Sequence, residues 1–390
     1  MTLFKLAFRN LIGAGLRTWL NVVVLSFSFI VIIWMQGVLK GMNNQAVTSL
    51  VDAEYAGGQF WHENYDPYDP LSLQDAHGKL PDELKGLVEK GKATPVLIIQ
   101  GTAYPEGRMM TLLIKGIDPD QKIISLPSSF LNEKTEDIPA VIGNRMSENT
   151  GLKAGDTVTL RWRDTNGTFD ARDALIVQVM RTTVQSIDQG QIWIPLERLR
   201  ELSNMGGEAT LLIVGRDISD PPQVSGWEFK SLDYLIKDIT QLVKTKTSGS
   251  SIFYVILLLL AMLAIFDTQI LSIFRRKKEI GTLMAMGFTR TKVIGLFTIE
   301  GAMHAVLAAL VAALYGIPFL TWFAKTGWPL PESMDSYGFA IGEKIFPVYS
   351  AGLVIGTTLL ILLVTTLVSF LPTRKIAKLK PTDALRGKSS

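Results

Sequence analysis

Apolar positions fall into two rhythms along this chain. Four stretches run apolar almost without interruption: Leu20 to Leu39, Ile252 to Phe274, Gly301 to Ala324 and Ile345 to Thr373. Three of them lack any Asp, Glu, Lys or Arg, and the second is broken only by Asp267. A bilayer core about 30 Å thick is crossed by roughly 20 apolar residues in a helix. Four runs, each of spanning length, predict four membrane spans rather than four buried core helices. The first run exceeds the roughly 7–15 apolar residues of a signal peptide and is followed by no small-x-small cleavage site, so it reads as an uncleaved anchor.

The second rhythm occupies residues 41–251, which alternate strand and helix signals and contain no run of spanning length. Pro81 to Lys90 reads as a short helix. Val96 to Tyr104 and Met109 to Ile117 read as a hairpin turned at Pro105-Glu106-Gly107. Asp156 to Trp162 and Ala174 to Met180 form a second pair around Thr165-Asn166-Gly167, followed by a strand at Gln191 to Ile194, a helix at Leu196 to Ser203 and a strand at Ala209 to Val214. From Leu232, the spacing of Leu235, Ile236, Ile239, Leu242 and Val243 predicts an amphipathic helix running through Thr247 into the second span. The expected fold is a membrane protein of four transmembrane α-helices with a large α+β domain inserted between spans one and two. Its expected parts are an elbow helix over residues 1–19, span one at 20–39, the domain with its helical stalk at 40–251, span two at 252–274, a short helix at 275–292, span three at 293–324, a loop at 325–344, span four at 345–371 and a tail at 372–390.

Composition agrees: hydrophobic residues make up 47%, charged residues 19%, and mean hydropathy is +0.25. Net charge is only +3, which excludes a strongly basic nucleic-acid coat. That small number conceals a strong asymmetry. Lys5, Arg9 and Arg17 precede span one. Arg275, Arg276, Lys277, Lys278, Arg290 and Lys292 lie between spans two and three. Arg374, Lys375, Lys378, Lys380, Arg386 and Lys388 follow span four, and these three segments hold only Glu279 and Asp383 as acids. Basic short loops stay in the cytoplasm. Both termini and the loop near 275–292 are therefore expected inside, with the α+β domain outside.

Catalytic chemistry finds few tools here. Cys is absent, which excludes disulfides, thiolate metal sites and Cys nucleophiles, and His62, His77 and His304 stand at no metal-ligand spacing. Gly387-Lys388-Ser389 imitates the end of a phosphate-binding loop, but Asp383 stands where that loop needs Gly. Asn166-Gly167-Thr168 reads as a turn before it reads as a sequon. Gly37 and Gly41 are a small-residue pair that is either a packing spot or chance. Two intramembrane carboxylates stand out. Asp267 lies about 22 Å along span two and is expected to face the bundle interior or be protonated. Glu300, at the start of span three, is expected to pair with Arg275, Arg276 or Arg290. In the loop between those spans, Ile280, Leu283, Met284 and Met286 are expected to form an exposed apolar ridge, which suits either partner docking or a helix lying on lipid.

Here the sequence resembles a known family. Lys278-Glu279-Ile280-Gly281, then Ala285-Met286-Gly287-Phe288-Thr289 and Glu300-Gly301, resembles the coupling-helix signature of ABC-transporter permeases of the MacB/FtsX/Lol superfamily. Leu371-Pro372-Thr373-Arg374-Lys375-Ile376-Ala377 with Pro381-Thr382-Asp383-Ala384-Leu385-Arg386 resembles its C-terminal motif, and Leu6-Ala7-Phe8-Arg9-Asn10-Leu11 its N-terminal elbow. Lys115-Gly116-Ile117-Asp118-Pro119, Val141-Ile142-Gly143 and Gly155-Asp156-Thr157-Val158 are similar to the lipoprotein-releasing branch. The chain departs from the family at Asp267, where Asn is usual, and at the Ala-rich rather than Gly-rich third span.

The resemblance implies a bacterial inner-membrane permease with its α+β domain in the periplasm. It would work with a dimer of cytoplasmic ABC ATPases that bind ATP and Mg²⁺, and with a second permease, identical or paralogous; the chain itself would hold no cofactor and catalyse nothing. The ATPase contact would fall on Glu279, Ile280, Gly281, Leu283, Met284, Met286, Gly287 and Phe288. The implied substrate is a lipoprotein or another amphipathic molecule taken from the membrane lipid, with a periplasmic chaperone or adaptor as a further partner. Within the same superfamily, efflux of drugs, peptides or toxins and signalling to a cell-wall hydrolase are the alternatives.

Overall fold

A computed structural model describes residues 15–182, 184–218, 220–329 and 344–374. Residues 1–14 of the expected elbow and most of the tail lie outside the described residues. The chain divides into two compact units, one of Met1–Met42, Val243–Pro329 and Ile345–Ser390, the other of Asn43–Leu242 and Leu330–Lys344. In chain order the helices are α1 (Leu16–Leu50), α2 (Asp82–Glu89), α3 (Asn144–Thr150), α4 (Leu196–Ser203), α5 (Lys237–Arg275), α6 (Lys277–Ala285), α7 (Arg290–Thr326) and α8 (Ala351–Thr373). The strands between Gly58 and Ser231 are β1 (Gly58–His62), β2 (Gly78–Lys79), β3 (Ala93–Ala103), β4 (Met110–Ile117), β5 (Ile138–Gly143), β6 (Thr157–Arg163), β7 (Phe169–Met180), β8 (Gln191–Pro195), β9 (Glu208–Ala209), β10 (Leu211–Val214) and β11 (Trp227–Ser231).

The unit of Asn43–Leu242 is built on one sheet, ordered β11-β1-β10-β3-β4-β8-β5-β7-β6, in which β6 also pairs with β3. That last pairing, Gly101 to Trp162 through Ala103 to Leu160, closes β3, β4, β8, β5, β7 and β6 into a barrel. Two neighbours, β4 with β8 and β5 with β7, are parallel, and the remaining pairs are antiparallel. The two-residue alternation of strands sorts the core. Leu97, Ile99, Ile114, Leu160, Trp162, Ile176 and Ile192 belong to one buried cluster, while Val96, Ile98, Trp193, Leu211 and Ile213 belong to another. The hairpins form where the turn residues predict them, with Pro105–Gly107 as a single 3₁₀ turn in which Glu106 takes positive φ. Closure through β3 and β6 joins residues about 60 apart in sequence and has no local signature.

The other unit inverts the usual distribution of polarity. Leu259, Leu260, Leu263, Leu310, Leu314, Leu359, Leu363 and Leu367 are exposed, whereas Val22, Phe29, Ile265, Ala305, Ala308, Ala312 and Ile361 pack inside. Among the described residues, four helices are long and apolar enough to cross a membrane. Small alanines on α7 let its neighbours approach, and polar contacts stitch the helices: Thr357 donates to Gln36 Oε1 at 3.1 Å, and Ser26 Oγ lies 3.1 Å from Tyr315 Oη. Gly37 and Gly41 are a packing spot, since a Cβ on either would collide with Tyr349 or with the backbone of Phe346.

Four boundaries differ from the sequence reading. The helix of span one, expected at 20–39, runs unbroken from Leu16 to Leu50. Residues 345–350 are not helical, because Pro347 offers no N–H and Ser350 caps α8 by accepting from Leu353 N at 3.3 Å. The helix expected from Leu232 is a single turn, Leu232–Leu235, followed by α5 from Lys237, with Ile236 between them at ψ −1°. The segment 275–292 is split: α6 ends at Ala285, and α7 begins at Arg290 under a Thr289 cap.

Candidate functional site

Arg276 has non-helical φ −99° and ψ 19°, so it turns the corner between α5 and α6 and stands as the N-cap of α6. Nine residues later the helix stops by a Schellman motif. Phe288 N donates to Leu283 O at 3.1 Å and Gly287 N to Met284 O at 3.1 Å, with Gly287 at φ +95°. Only glycine adopts that left-handed conformation at little cost. Thr289 then accepts from Lys292 N and starts α7. Cap, stop and cap within fourteen residues define a short helix set between two long ones.

Packing overturns part of the sequence expectation. Ile280 and Leu283 do not form an exposed ridge: they are 0% and 9% exposed, in a cluster with Ile273, Val293, Leu296, Phe297 and Met303. Gly281 is buried with them, and Met284 and Phe288 are half-buried against the same cluster. The apolar face of α6 is therefore consumed by α5 and α7, the nearest apolar surface available to it. What α6 presents outward is Lys278, Glu279, Thr282, Ala285, Met286 and Gly287, with Met286 65% exposed.

Electrostatics fix the same corner. Arg276 Nη1 lies 2.9 Å from both carboxylate oxygens of Glu300, while Nε and Nη2 of the same guanidinium each lie 2.6 Å from Glu279. One guanidinium thus joins α6 to α7, and it stacks over the Phe297 ring at 4.8 Å. Among the three arginines expected near Glu300, Arg276 is the partner. Its hydrogen bonds hold the Glu279 carboxyl below the usual carboxylate range, and Glu279 in turn raises Arg276 above the ordinary arginine value. Glu300 is 5% exposed, and its backbone carbonyl accepts from His304 Nδ1 at 2.9 Å.

Asp267 does not face the interior: it is exposed, with no hydrogen bond or ion pair among the described residues. The inward polar residue is Gln269, 3% exposed. Two residues further on is about 200° around a helix, so the two side chains point to opposite faces. Gln269, His304 and Ser369 were missed by a reading that looked only for charge; their signal was a polar side chain inside an apolar run.

In the other unit, an open cavity of about 530 Å³ lies between β3, β6 and the 70–75 segment, lined by Leu73, Gln100, Thr102, Arg161, Arg163 and Phe169 among others. Among the described residues no group of three or more His, Asp or Glu could hold a metal ion.

Four apolar helices, an α+β unit, and a short helix pinned between the second and third apolar helices define a multi-span membrane protein with a large non-membrane domain. Residues 251–381 match the FtsX-like permease C-terminal family. This third of the chain is similar to FtsX-like permease domains, and the chain's relatives are ABC-transporter permeases consistent with the MacB/FtsX/Lol superfamily. The chain is 26% identical to an ABC transporter permease of Methanocaldococcus jannaschii over 41% of this chain and 39% of that one. It is 25% identical to the macrolide export ATP-binding/permease protein MacB of Wolinella succinogenes over 42% of this chain and 23% of MacB. It is 21% identical to the lipoprotein-releasing system transmembrane protein LolC of Xylella fastidiosa over 74% of this chain and 76% of LolC. The matches thus span well under half the length of the first two relatives.

Proposed function

We propose that this chain is the permease subunit of an ATP-driven ABC transporter in the bacterial inner membrane, with both termini cytoplasmic and the α+β unit periplasmic. ATP and Mg²⁺ would be bound by a separate ATPase dimer, which docks on α6, and a second permease would complete the assembly. The observation that supports this reading most is the Arg276 clamp: a short helix whose Ile280 and Leu283 are packed, and whose Lys278, Glu279, Thr282 and Met286 face outward, is held to α7 through Glu300 and would deliver a push to it. The ATPase contact is assigned to the outward residues of the predicted set, Glu279, Met286 and Gly287, while Ile280, Gly281, Leu283, Met284 and Phe288 shape the helix behind them.

The alignment to LolC runs through most of both chains and supports a lipoprotein or another amphipathic substrate, received by a periplasmic chaperone or adaptor. Acyl chains are held in a bilayer by about 0.8 kcal/mol per CH₂, so their extraction needs a coupled energy source. Efflux of the kind named for MacB is the alternative. The test is copurification of the chain with its ABC ATPase from native membranes. Met286→Glu should lose the ATPase while the permease still inserts and unfolds at the same temperature; retention with normal ATP hydrolysis rejects α6 as the docking element.

A further inference from the structure

One turn of α7, Thr298 to Gly301, touches each element packed around it. Thr298 Oγ1 lies 3.2 Å from Thr373 Oγ1 on α8, and Glu300 holds Arg276 at the α5–α6 corner. Gly301 is a notch: an ideal Cβ there would collide with Ser369 of α8 and stand 2.9 Å from Gln269 Nε2 of α5. Ser369 is 0% exposed and Gln269 3%. Yet Ser369 Oγ and Gln269 Oε1 have no hydrogen-bond partner among the described residues. Buried polar groups left unpaired are destabilising and uncommon, and apolar residues of similar size would remove the penalty. The orphaned Ser369 hydroxyl and the Gln269 amide, which turns Nε2 toward Gly301 and leaves Oε1 orphaned, meet at the glycine that follows the clamped carboxylate.

We infer that Gln269 and Ser369 are positioning residues that form a hydrogen bond in a second arrangement of the bundle. A small slide of α8 against α5, with a turn of the Gln269 amide that brings Oε1 round in place of Nε2 beside Gly301, lets the Ser369 hydroxyl donate to Gln269 Oε1. The arrangement described here is the state with that bond unmade. Displacement of α6, felt at Glu300 through Arg276, is what shifts the balance between the two states, so this inference rests on the coupling role proposed for α6. The pair converts movement at the α5–α6 corner into movement of α8.

Hydrogen–deuterium exchange on the full chain in detergent tests the pair without any ATPase. Glu300→Gln releases the clamp and should change exchange of the amides in 362–373 at least threefold. With Ser369→Ala or Gln269→Met already present, that change should vanish, while the unfolding temperature of either single variant stays level or rises. The same change in all backgrounds, none in the wild-type background, or a lower unfolding temperature for both single variants overturns the inference. A second measurement separates it from the docking reading: in a complex with the ATPase, Ser369→Ala should cut substrate-stimulated hydrolysis at least fivefold with assembly intact. A wild-type chain that associates with no ABC ATPase removes the docking reading and leaves the exchange result to decide the pair.

Discussion

The Arg276 guanidinium is shared, with Glu279 on its own side of the corner and Glu300 across on α7. Sharing makes the pair irreplaceable by simple exchange of charges. In a double variant Arg276→Glu with Glu300→Arg, the new carboxylate at 276 would stand against Glu279, and like charges so close repel. The expected outcome is no rescue of the single variants. Arg276→Ala alone leaves Glu300 buried without its cation, which costs about 3 kcal/mol. Equilibrium unfolding in detergent checks both: rescue by the swap would show that Glu279 has no part in the clamp, and a loss well under about 1 kcal/mol for Arg276→Ala would show that the clamp contributes little.

Acid should loosen this clamp. The folded-state pKa of Glu279 lies below its unfolded value, so its contribution is complete above the unfolded pKa and is lost as pH falls through the folded one. Because Glu279 is half exposed, the contribution is modest. Stability measured between neutral pH and pH 3 should decline less steeply for Glu279→Gln than for the wild type. Parallel declines would place the acid sensitivity elsewhere.

Gly287 closes the Schellman motif at a positive φ that other residues pay about 1 kcal/mol to adopt. Gly287→Ala should cost about that much, and nothing within 4 Å would obstruct the added methyl. Gly301→Ala should cost more, since its Cβ meets Ser369 and Gln269. Calorimetry of the two variants gives the ranking, and the reverse order would contradict both assignments.

Asp267 has no partner among the described residues, so Asp267→Leu should leave the unfolding temperature level or raise it, contrary to what an inward-facing carboxylate would do. A drop equivalent to more than about 1 kcal/mol would mean that a buried contact was lost.

Single cysteines in this Cys-free chain report sidedness. Thr168→Cys, in the β6–β7 turn, should label with an impermeant maleimide in intact spheroplasts, and Thr282→Cys, on the outward face of α6, only after permeabilisation. Labelling of both from outside would reject the proposed topology.

How much of this was legible beforehand depended on the range of the forces involved. Spans and hairpins are local: apolar length, Pro105-Glu106-Gly107 and Thr165-Asn166-Gly167 state them outright. Partner choice is not local. The apolar residues of α6 were visible, but only the neighbouring helices decide that Ile280 and Leu283 are covered while Met286 is not. Likewise a polar residue in a span announces itself, yet whether Asp267 or Gln269 turns inward is a matter of rotation that an unbroken apolar run leaves open. The closure of the barrel through β3 and β6 escaped for the same reason.

Strand β3 serves three neighbours: β10 along Ala93–Val96, β6 along Gly101–Ala103, and β4 from Val96 to Ala103. The barrel and the outer strands therefore share one piece of backbone, and neither can melt while the other stays whole. The unit should unfold in a single transition and fold slowly, since β10 arrives more than a hundred residues after the strand it must meet. A nascent or truncated chain ending before Leu211 would expose the first half of β3 as an unpaired edge, an aggregation hazard that full-length synthesis removes.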